Sequence, residues 1–155
     1  MKHDPRLKDW AAWLFTCNFE VWDLRPDYEA DEQVGGWRLH PAYRVDEVEI
    51  GDPFYLWVTG SSRASWTPGV WGAGEVTDLP EQDQGGGPDW RDTTEMRKTR
   101  PYVPVEIEYF RPVVARADLL QDRRFRSAEI IRQPAMGNPL ILTADEVAAI
   151  EDRRP

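Results

Sequence analysis

Two short apolar runs lie close together in the middle of the chain. Residues 54–58 and 70–76 are too short, and too rich in aromatic and β-branched residues, to predict helices, and turn-forming residues bound both. We expect them to pair as central strands. Residues 59–69 between them are longer than a tight hairpin requires, so this connector is a candidate binding loop.

Other apolar runs predict further strands around this pair. Residues 10–17 predict the first strand, and residues 45–50 alternate loosely before a turn that leads into the central pair. Residues 102–110 alternate cleanly between apolar and acidic positions, which is typical of a half-buried antiparallel strand. Pro104 on its polar face favours a position at the edge of the sheet.

Helical signals are short. Residues 115–121 and 125–132 predict two short helices, and Pro26 limits residues 20–30 to short helical turns on either side of it.

The terminal helix has the clearest start signal. Thr143 and Glu146 have the spacing of a capping box, in which each side chain bonds the other residue's backbone N–H. The signal predicts a helix over residues 143–152, with Val147 and Ile150 facing the core.

Two glycine-containing segments are candidate surface features. Gly35 and Gly36 allow a sharp backbone turn that holds Trp37 just beyond it, where an aromatic ring could be aimed at a ligand. Residues 79–89 form an acidic run with three consecutive glycines, and residues 90–100 are polar without a period. We expect residues 79–100 to be a flexible insertion.

Length and composition indicate one domain in a reducing compartment. The 155 residues fit a single domain with a core over about 11–150 and a lead-in at residues 1–9. The lone Cys17 excludes an intramolecular disulfide and a cysteine-based zinc site. No apolar stretch approaches the length of a membrane span, and no export signal is visible, so we expect a cytoplasmic protein without membrane contact.

The charge distribution is uneven. The net charge of −9 argues against nucleic-acid binding, because phosphate contacts supply most non-specific affinity. Residues 91–132, however, carry ten Lys or Arg against seven Asp or Glu. A phosphate-facing patch and the solvated faces of short helices are both consistent with these arginines.

Eight tryptophans are many for this length, and tryptophan serves both cores and stacking surfaces. Trp10, Trp13, Trp22 and Trp71 fit core positions. Trp57 fits core or pocket equally, whereas Trp66 and Trp90 lie in loops where they could touch a ligand or cover the core.

Several segments together resemble the EVE domain, a member of the PUA-like superfamily that is related to YTH domains. The resemblance covers residues 11–150, and its carriers are the strand WLFTCN with the following FEVW, the turn GGWR, the stretch VEIGD before FYLW, the segment GVWGAGEV, and the tail IIRQ with GNPLILT. Phe19 departs from the proline common in the family. The long connector at residues 61–68 and the glycine-rich loop at residues 79–89 also depart from it and could reshape a pocket mouth.

The resemblance implies an α+β fold, a PUA-like twisted β-barrel of about five to six strands with short flanking helices. It also implies a nucleic-acid-binding module that takes a modified, methylated base from DNA or RNA into an aromatic pocket, with no cofactor. The implied base pocket comprises Asn18, Trp37, Trp57, Thr59 and Gly60. The candidate nucleic-acid contacts are Arg38, Arg63, Trp66, Arg132, Gln133 and Asn138.

Other interpretations stay open at this point. Asn18 could instead cap a turn, as asparagine often does at strand ends. The acidic chain could be a protein-interaction or small-ligand module without nucleic acid. His3 and His40 are the only histidines, and no nucleotide-binding or hydrolase motif occurs, so we expect a binder rather than an enzyme. RNA cleavage is a further hypothesis, because the superfamily includes ASCH domains to which nuclease activity is attributed.

Overall fold

The computed structural model describes residues 2–61 and 63–155. Within them, seven strands and five short α-helices alternate in an α+β arrangement. The strands are β1 Ala12–Cys17, β2 Gly36–Arg38, β3 Pro53–Val58, β4 Gly69–Val76, β5 Glu81–Gln84, β6 Thr99–Ala115 and β7 Leu140–Leu142. The helices are α1 Arg25–Ala30, α2 Thr93–Met96, α3 Arg116–Leu119, α4 Glu129–Arg132 and α5 Ala144–Glu151, and two 3-10 helices cover Pro5–Leu7 and Tyr43–Glu47.

The strands form one mixed, twisted sheet in the order β2-β6-β4-β3-β1-β7, with β5 also paired to β6. The expected central pair is confirmed, since β3 and β4 are antiparallel neighbours. Only β1 and β3 pair in parallel among the described strands. The expected α+β class is confirmed, and the sheet is consistent with a twisted, barrel-like arrangement. The strand number is corrected: the described sheet has seven strands rather than five to six, and it is not closed, because its end strands β2 and β7 do not pair with each other.

Strand β6 is longer than its alternating core suggests and lies inside the sheet. It pairs with β4 along one half and with β2 and β5 along the other. Pro104 therefore is not on an edge strand, and it lies opposite Gly36 of β2. Its carbonyl still accepts a hydrogen bond from Thr77 N at 2.9 Å, so the missing N–H affects only one side of the strand.

The expected flexible insertion contains regular structure. Strand β5 is polar and wholly exposed, yet it pairs with residues 99–102 of β6 through its backbone. The Asp92 side chain accepts a hydrogen bond from Glu95 N at 3.0 Å and starts α2. Sequence periodicity misses both elements because neither buries an apolar face.

The sheet has two apolar faces, because successive side chains of a strand point to opposite sides. The inner face carries Phe15, Leu56 and Val58 and packs against Trp37. The outer face carries Leu14 and Trp57 and is covered by α3, α5 and the segment that contains Phe125. The functional question is therefore which face each tryptophan joins.

Hydrogen bonds and ion pairs between polar groups hold the segments around the sheet in place. The buried Arg44 guanidinium forms a two-pronged ion pair with Glu129, with both nitrogen–oxygen distances at 2.6 Å. The capping box at Thr143 and Glu146 is confirmed, and Ile150 is fully buried. Near the N-terminus, the Lys2 ammonium bonds the Asp52 carboxylate, which also accepts a hydrogen bond from Trp13 Nε1 at 2.8 Å.

No helix among the described residues combines the length and the apolar run needed to cross a bilayer.

Candidate functional site

The two end strands of the sheet approach each other at a seam, which is held by single backbone and side-chain hydrogen bonds. His40 N, just after β2, donates to Asn138 O, just before β7, at 2.9 Å. Trp37 Nε1 on β2 donates to Thr16 O on β1 at 3.0 Å. The described residues show no strand pairing across this gap. Single hydrogen bonds rather than a strand ladder therefore hold the seam, and they leave space for a cavity beside it.

Asn138 imitates a missing strand at the seam. Its Oδ1 accepts hydrogen bonds from both the backbone N and the Oγ1 of Thr16, and its Nδ2 donates to Thr16 O at 3.0 Å. The two bonds to the backbone N and O of Thr16 are those that the peptide groups of a neighbouring strand would make. Strand β7 pairs with β1 only as far as Leu14, so Asn138 takes over where that ladder ends.

A cavity of about 550 Å³ opens at this seam. Four aromatic side chains line it, Trp22, Trp37, Trp90 and Tyr102. Its polar lining comprises Thr16, Asn18, Arg38, His40, Asp83, Asp92, Glu95, Arg100 and Asn138. Binding pockets for small molecules commonly span about 300–1,000 Å³ and combine apolar walls with a few polar groups. The cavity therefore has the size and composition of a ligand site.

The aromatic walls are held at fixed angles. The rings of Trp22 and Trp37 meet edge to face, with centroids 5.7 Å apart and planes at 87°. Trp90 reaches the cavity because its backbone pairs with that of Trp22 in an isolated antiparallel bridge, and its Nε1 donates to Gly86 O at 2.9 Å. Trp37 is only 7% exposed, so its ring is a floor of the cavity rather than a projecting wall.

Two glycines let these walls approach closely. A Cβ added at Gly36 would lie 2.3 Å from the Tyr102 ring, and one added at Gly85 would lie 2.6 Å from Met96 O. Real side chains do not tolerate either distance. Gly36 therefore sets the spacing between β2 and the Tyr102 ring, and Gly85 the spacing between the 85–90 segment and α2.

Arg38 holds the segment that carries Trp90. Its guanidinium carbon lies 4.9 Å from the centroid of the Trp90 ring. Its Nη1 donates to Glu95 O at 3.0 Å and its Nη2 to Lys98 O at 2.7 Å. Burial lowers the pKa of Arg38 from its ordinary value, although a guanidinium remains charged at any physiological pH.

The one thiol in the cavity lining is not activated. Cys17 lies in its lining, but burial raises the pKa of the thiol far above the ordinary range, so the reactive thiolate is not populated. Among residues 2–61 and 63–155, no cluster of three or more histidine, cysteine or carboxylate side chains could hold a metal ion. The arrangement suits binding through stacking and hydrogen bonds.

Four of the residues singled out from the sequence come together in this lining, Asn18, Trp37, Arg38 and Asn138. Asn18 also makes the turn-capping bond that the sequence left open, since its Oδ1 accepts Glu20 N at 2.9 Å. The two interpretations of Asn18 are compatible, because the capping bond uses the oxygen and leaves the amide nitrogen for other partners.

Trp57 lies on the opposite face of the sheet. It is 2% exposed and stacks on Phe125, with ring centroids 5.7 Å apart and planes at 13°. Leu56 and Val58, its neighbours in β3, point to the inner face, so strand alternation directs Trp57 outward. The expectation that it forms a second wall of the Trp37 pocket is corrected accordingly.

The remaining candidates lie outside the lining. Thr59, Gly60 and Trp66 group together at the connector, where Trp66 Nε1 donates to Thr59 O at 2.8 Å and Arg116 Nη1 donates to Gly60 O at 2.7 Å. The other three, Arg63, Arg132 and Gln133, are exposed and do not contribute to the cavity surface. Ser62 of the same connector lies outside the described residues.

The sequence does not assign two of the four aromatic lining residues, Trp22 and Tyr102, to a pocket. The sequence predicts Trp22 as a core residue, and it is partly buried against the core while also lining the cavity. For Trp90 the sequence leaves ligand contact and core cover open, and the structure places it in the lining. Tyr102 lies on the polar face of its strand, opposite the apolar series that begins at Val103, and this parity is a signal that points it away from the core. No local signal pairs Trp22 with Trp90, which are distant in sequence.

No family model matches the sequence, and no curated protein is detectably similar to it. Solved structures nevertheless share its fold over nearly the whole chain. A hypothetical protein from Leishmania major is 16% identical with a TM-score of 0.62 and covers 96% of both chains. A protein from Pseudomonas syringae is 16% identical with a TM-score of 0.64, covering 94% of this chain and 100% of its own.

Human THYN1 shares the fold as well. Its structure was solved in complex with DNA that contains 5-methylcytosine, and it is 14% identical with a TM-score of 0.51 over 93% of this chain and 99% of its own. At such identities the likeness concerns the fold alone.

Proposed function

We propose that the protein binds nucleic acid and takes a modified base into the aromatic cavity at the seam. The observation that carries the proposal is the arrangement of Trp22, Trp37, Trp90 and Tyr102 around one space of about 550 Å³. The EVE-like segments of the sequence support it, and so does a fold shared with a protein solved in complex with methylated DNA.

The energetics are adequate for this role. Stacking on an aromatic side chain contributes about 1–3 kcal/mol per base, which is comparable with the few kcal/mol that removing a base from its stack costs. A buried methyl group adds only about 0.8 kcal/mol. Recognition of the modification therefore depends on how the walls fit it, and the fixed angle between Trp22 and Trp37 provides a shaped surface.

Asn18 is the proposed contact to the base edge. Its Oδ1 already accepts Glu20 N, and a backbone N–H can bond only to the oxygen end of the amide. The amide NH₂ is then the group that remains to donate, so Asn18 would recognise a ring nitrogen or carbonyl oxygen on the base.

A titration with paired tryptophan variants tests the proposal. Trp37→Phe removes an indole N–H in the cavity lining that donates to Thr16 O at 3.0 Å. Trp71→Phe is the matched control, because it removes an indole N–H outside the cavity that donates to Thr67 O at 2.8 Å. Binding of single-stranded and duplex oligonucleotides with and without one methylated base is followed by tryptophan quenching. We expect tighter binding of the methylated strand and its loss in Trp37→Phe alone. Equal, weak binding of both strands by all three proteins would contradict the proposal.

The alternative of a small-ligand module without nucleic acid is favoured by one observation. Several arginines considered for phosphate contact already bond the protein, as when Arg132 Nε donates to Ser127 O at 2.7 Å. Salt distinguishes the two functions, because phosphate contacts weaken steeply as the salt concentration rises. Binding of free methylated nucleosides, with no oligonucleotide binding at low salt, would favour the alternative.

We further propose that the protein acts as a binder without catalysis. The raised pKa of Cys17 supports this, since burial keeps the thiol of the cavity lining protonated. RNA incubated with the protein and divalent metal ions should stay intact, and its cleavage would refute this part of the proposal.

A further inference from the structure

The rim of the aromatic cavity carries more negative than positive charge. Three carboxylates line it, Asp83, Asp92 and Glu95, against two guanidinium groups, Arg38 and Arg100. Both cations are engaged within the protein. Arg38 bonds backbone carbonyls of α2 and the residues after it, and Arg100 Nε pairs with the Glu95 carboxylate at 3.0 Å.

The excess negative charge is concentrated at β5. The Asp83 side chain has no hydrogen bond or ion pair among the described residues, and it is exposed at the cavity rim. Burial, together with the negative charges of Asp83 and Glu81, raises the pKa of Tyr102, which is one of the aromatic walls. The field of β5 therefore reaches the surface against which a ligand would lie.

Aromatic walls with a carboxylate nearby favour cations. The face of an indole or phenol ring attracts positive charge, most strongly at sites that exclude water. One face of Trp90 already holds a cation in this way, since the Arg38 guanidinium carbon lies 4.9 Å from its ring centroid. A cationic ligand therefore relies on the other aromatic walls and on the Asp83 carboxylate at the rim. Such surroundings stabilise a positively charged planar ring more than a neutral ring of the same size.

We propose that the cavity selects a positively charged methylated base, one that carries its methyl group on a ring nitrogen, over the neutral isomer methylated elsewhere. The inference rests on the proposed function and specifies its substrate class. 3-Methylcytosine and 1-methyladenine are bases of this kind, and both are cationic at neutral pH. Their neutral counterparts are 5-methylcytosine and N6-methyladenine, which have the same heavy atoms and the same number of methyl groups but lack the added proton.

Isomer pairs isolate the effect of charge. The four methylated bases are compared at pH 7 as free nucleosides and as the single modified position in short single strands. We expect the cationic member of each pair to bind roughly tenfold more tightly, the factor that corresponds to one cation–π contact of moderate strength.

Matched carboxylate variants locate the source of the preference. Asp83→Asn removes the rim charge at an exposed position, and it should reduce the preference for the cationic isomer several-fold. Glu106→Gln removes an exposed carboxylate that is not part of the cavity lining. It should leave the preference unchanged.

Each outcome separates this inference from the proposed function. Tighter binding of the cationic isomers, reduced by Asp83→Asn alone, supports it. Oligonucleotide binding with equal or better affinity for the neutral isomers overturns charge selection and leaves base reading intact. A charge preference seen only with free nucleosides supports the inference and contradicts nucleic-acid reading. Failure to bind any of the nucleosides or strands overturns both.

Discussion

Truncating Asn138 tests whether one side chain replaces a strand at the open seam. Asn138→Ala removes the hydrogen bonds to the backbone N, the backbone O and the hydroxyl of Thr16. Each intramolecular hydrogen bond contributes about 0.5–1.5 kcal/mol net, and a half-buried donor left without a partner loses more. The three bonds together predict a loss of about 2–4 kcal/mol in the free energy of unfolding.

Urea denaturation followed by tryptophan fluorescence and circular dichroism measures this loss. For a domain of this length, the same loss lowers the melting temperature by about 4–16 °C. Asn18→Ala is the matched control, because it removes a single exposed hydrogen bond, from Glu20 N, and should cost less than about 1 kcal/mol.

The seam interpretation also predicts a second effect. If Asn138 keeps the cavity in shape, its truncation should weaken ligand binding under conditions in which the variant is still fully folded. Equal stability losses for Asn138→Ala and Asn18→Ala, within experimental error, would refute the reasoning, because they would show that the Thr16 backbone finds other partners.

Three further predictions concern packing and ionisation. Glu129→Gln should lower the free energy of unfolding by about 3–5 kcal/mol in urea titrations, because it leaves the charge of Arg44 buried without a counter-ion. Gly36→Ala should lower both the melting temperature and the ligand affinity, since its Cβ would displace the ring of Tyr102. Burial raises the pKa of Glu129, but hydrogen bonds from Arg44 and Ile141 N outweigh it and lower the pKa overall. Because the folded-state pKa is depressed, the wild type should keep this stability above about pH 4.3 and lose it progressively below, whereas Glu129→Gln should show a weaker dependence across that range.

The sequence predicts the central elements of this fold because each carries a local signal. The β3 and β4 runs, the alternation within β6 and the capping box of α5 follow from apolar period and turn chemistry, and the structure confirms them. Strand β5 has no such signal, since it is polar on both faces and owes its conformation to the backbone of β6. Its pairing is a long-range effect that no window of the sequence contains.

The residues of the candidate site show the same contrast between local and long-range signals. Trp37 follows a glycine pair that fixes its direction locally, and the structure places it in the cavity lining. Trp57 lies in an apolar strand, and only its alternation with Leu56 and Val58 tells which face it joins. Trp22 and Trp90 meet through a backbone bridge between distant segments, so their shared role depends on closure of the whole fold.

The most direct measurement of the central claim is a nuclear magnetic resonance titration that follows the indole N–H signals of the eight tryptophans while a methylated oligonucleotide is added. The account predicts large shifts for Trp22, Trp37 and Trp90 and little change for Trp13, Trp57 and Trp71, which are buried outside the cavity. Shifts centred on Trp57 or Trp66, or no shifts at a saturating concentration, would contradict a base-binding site at the seam.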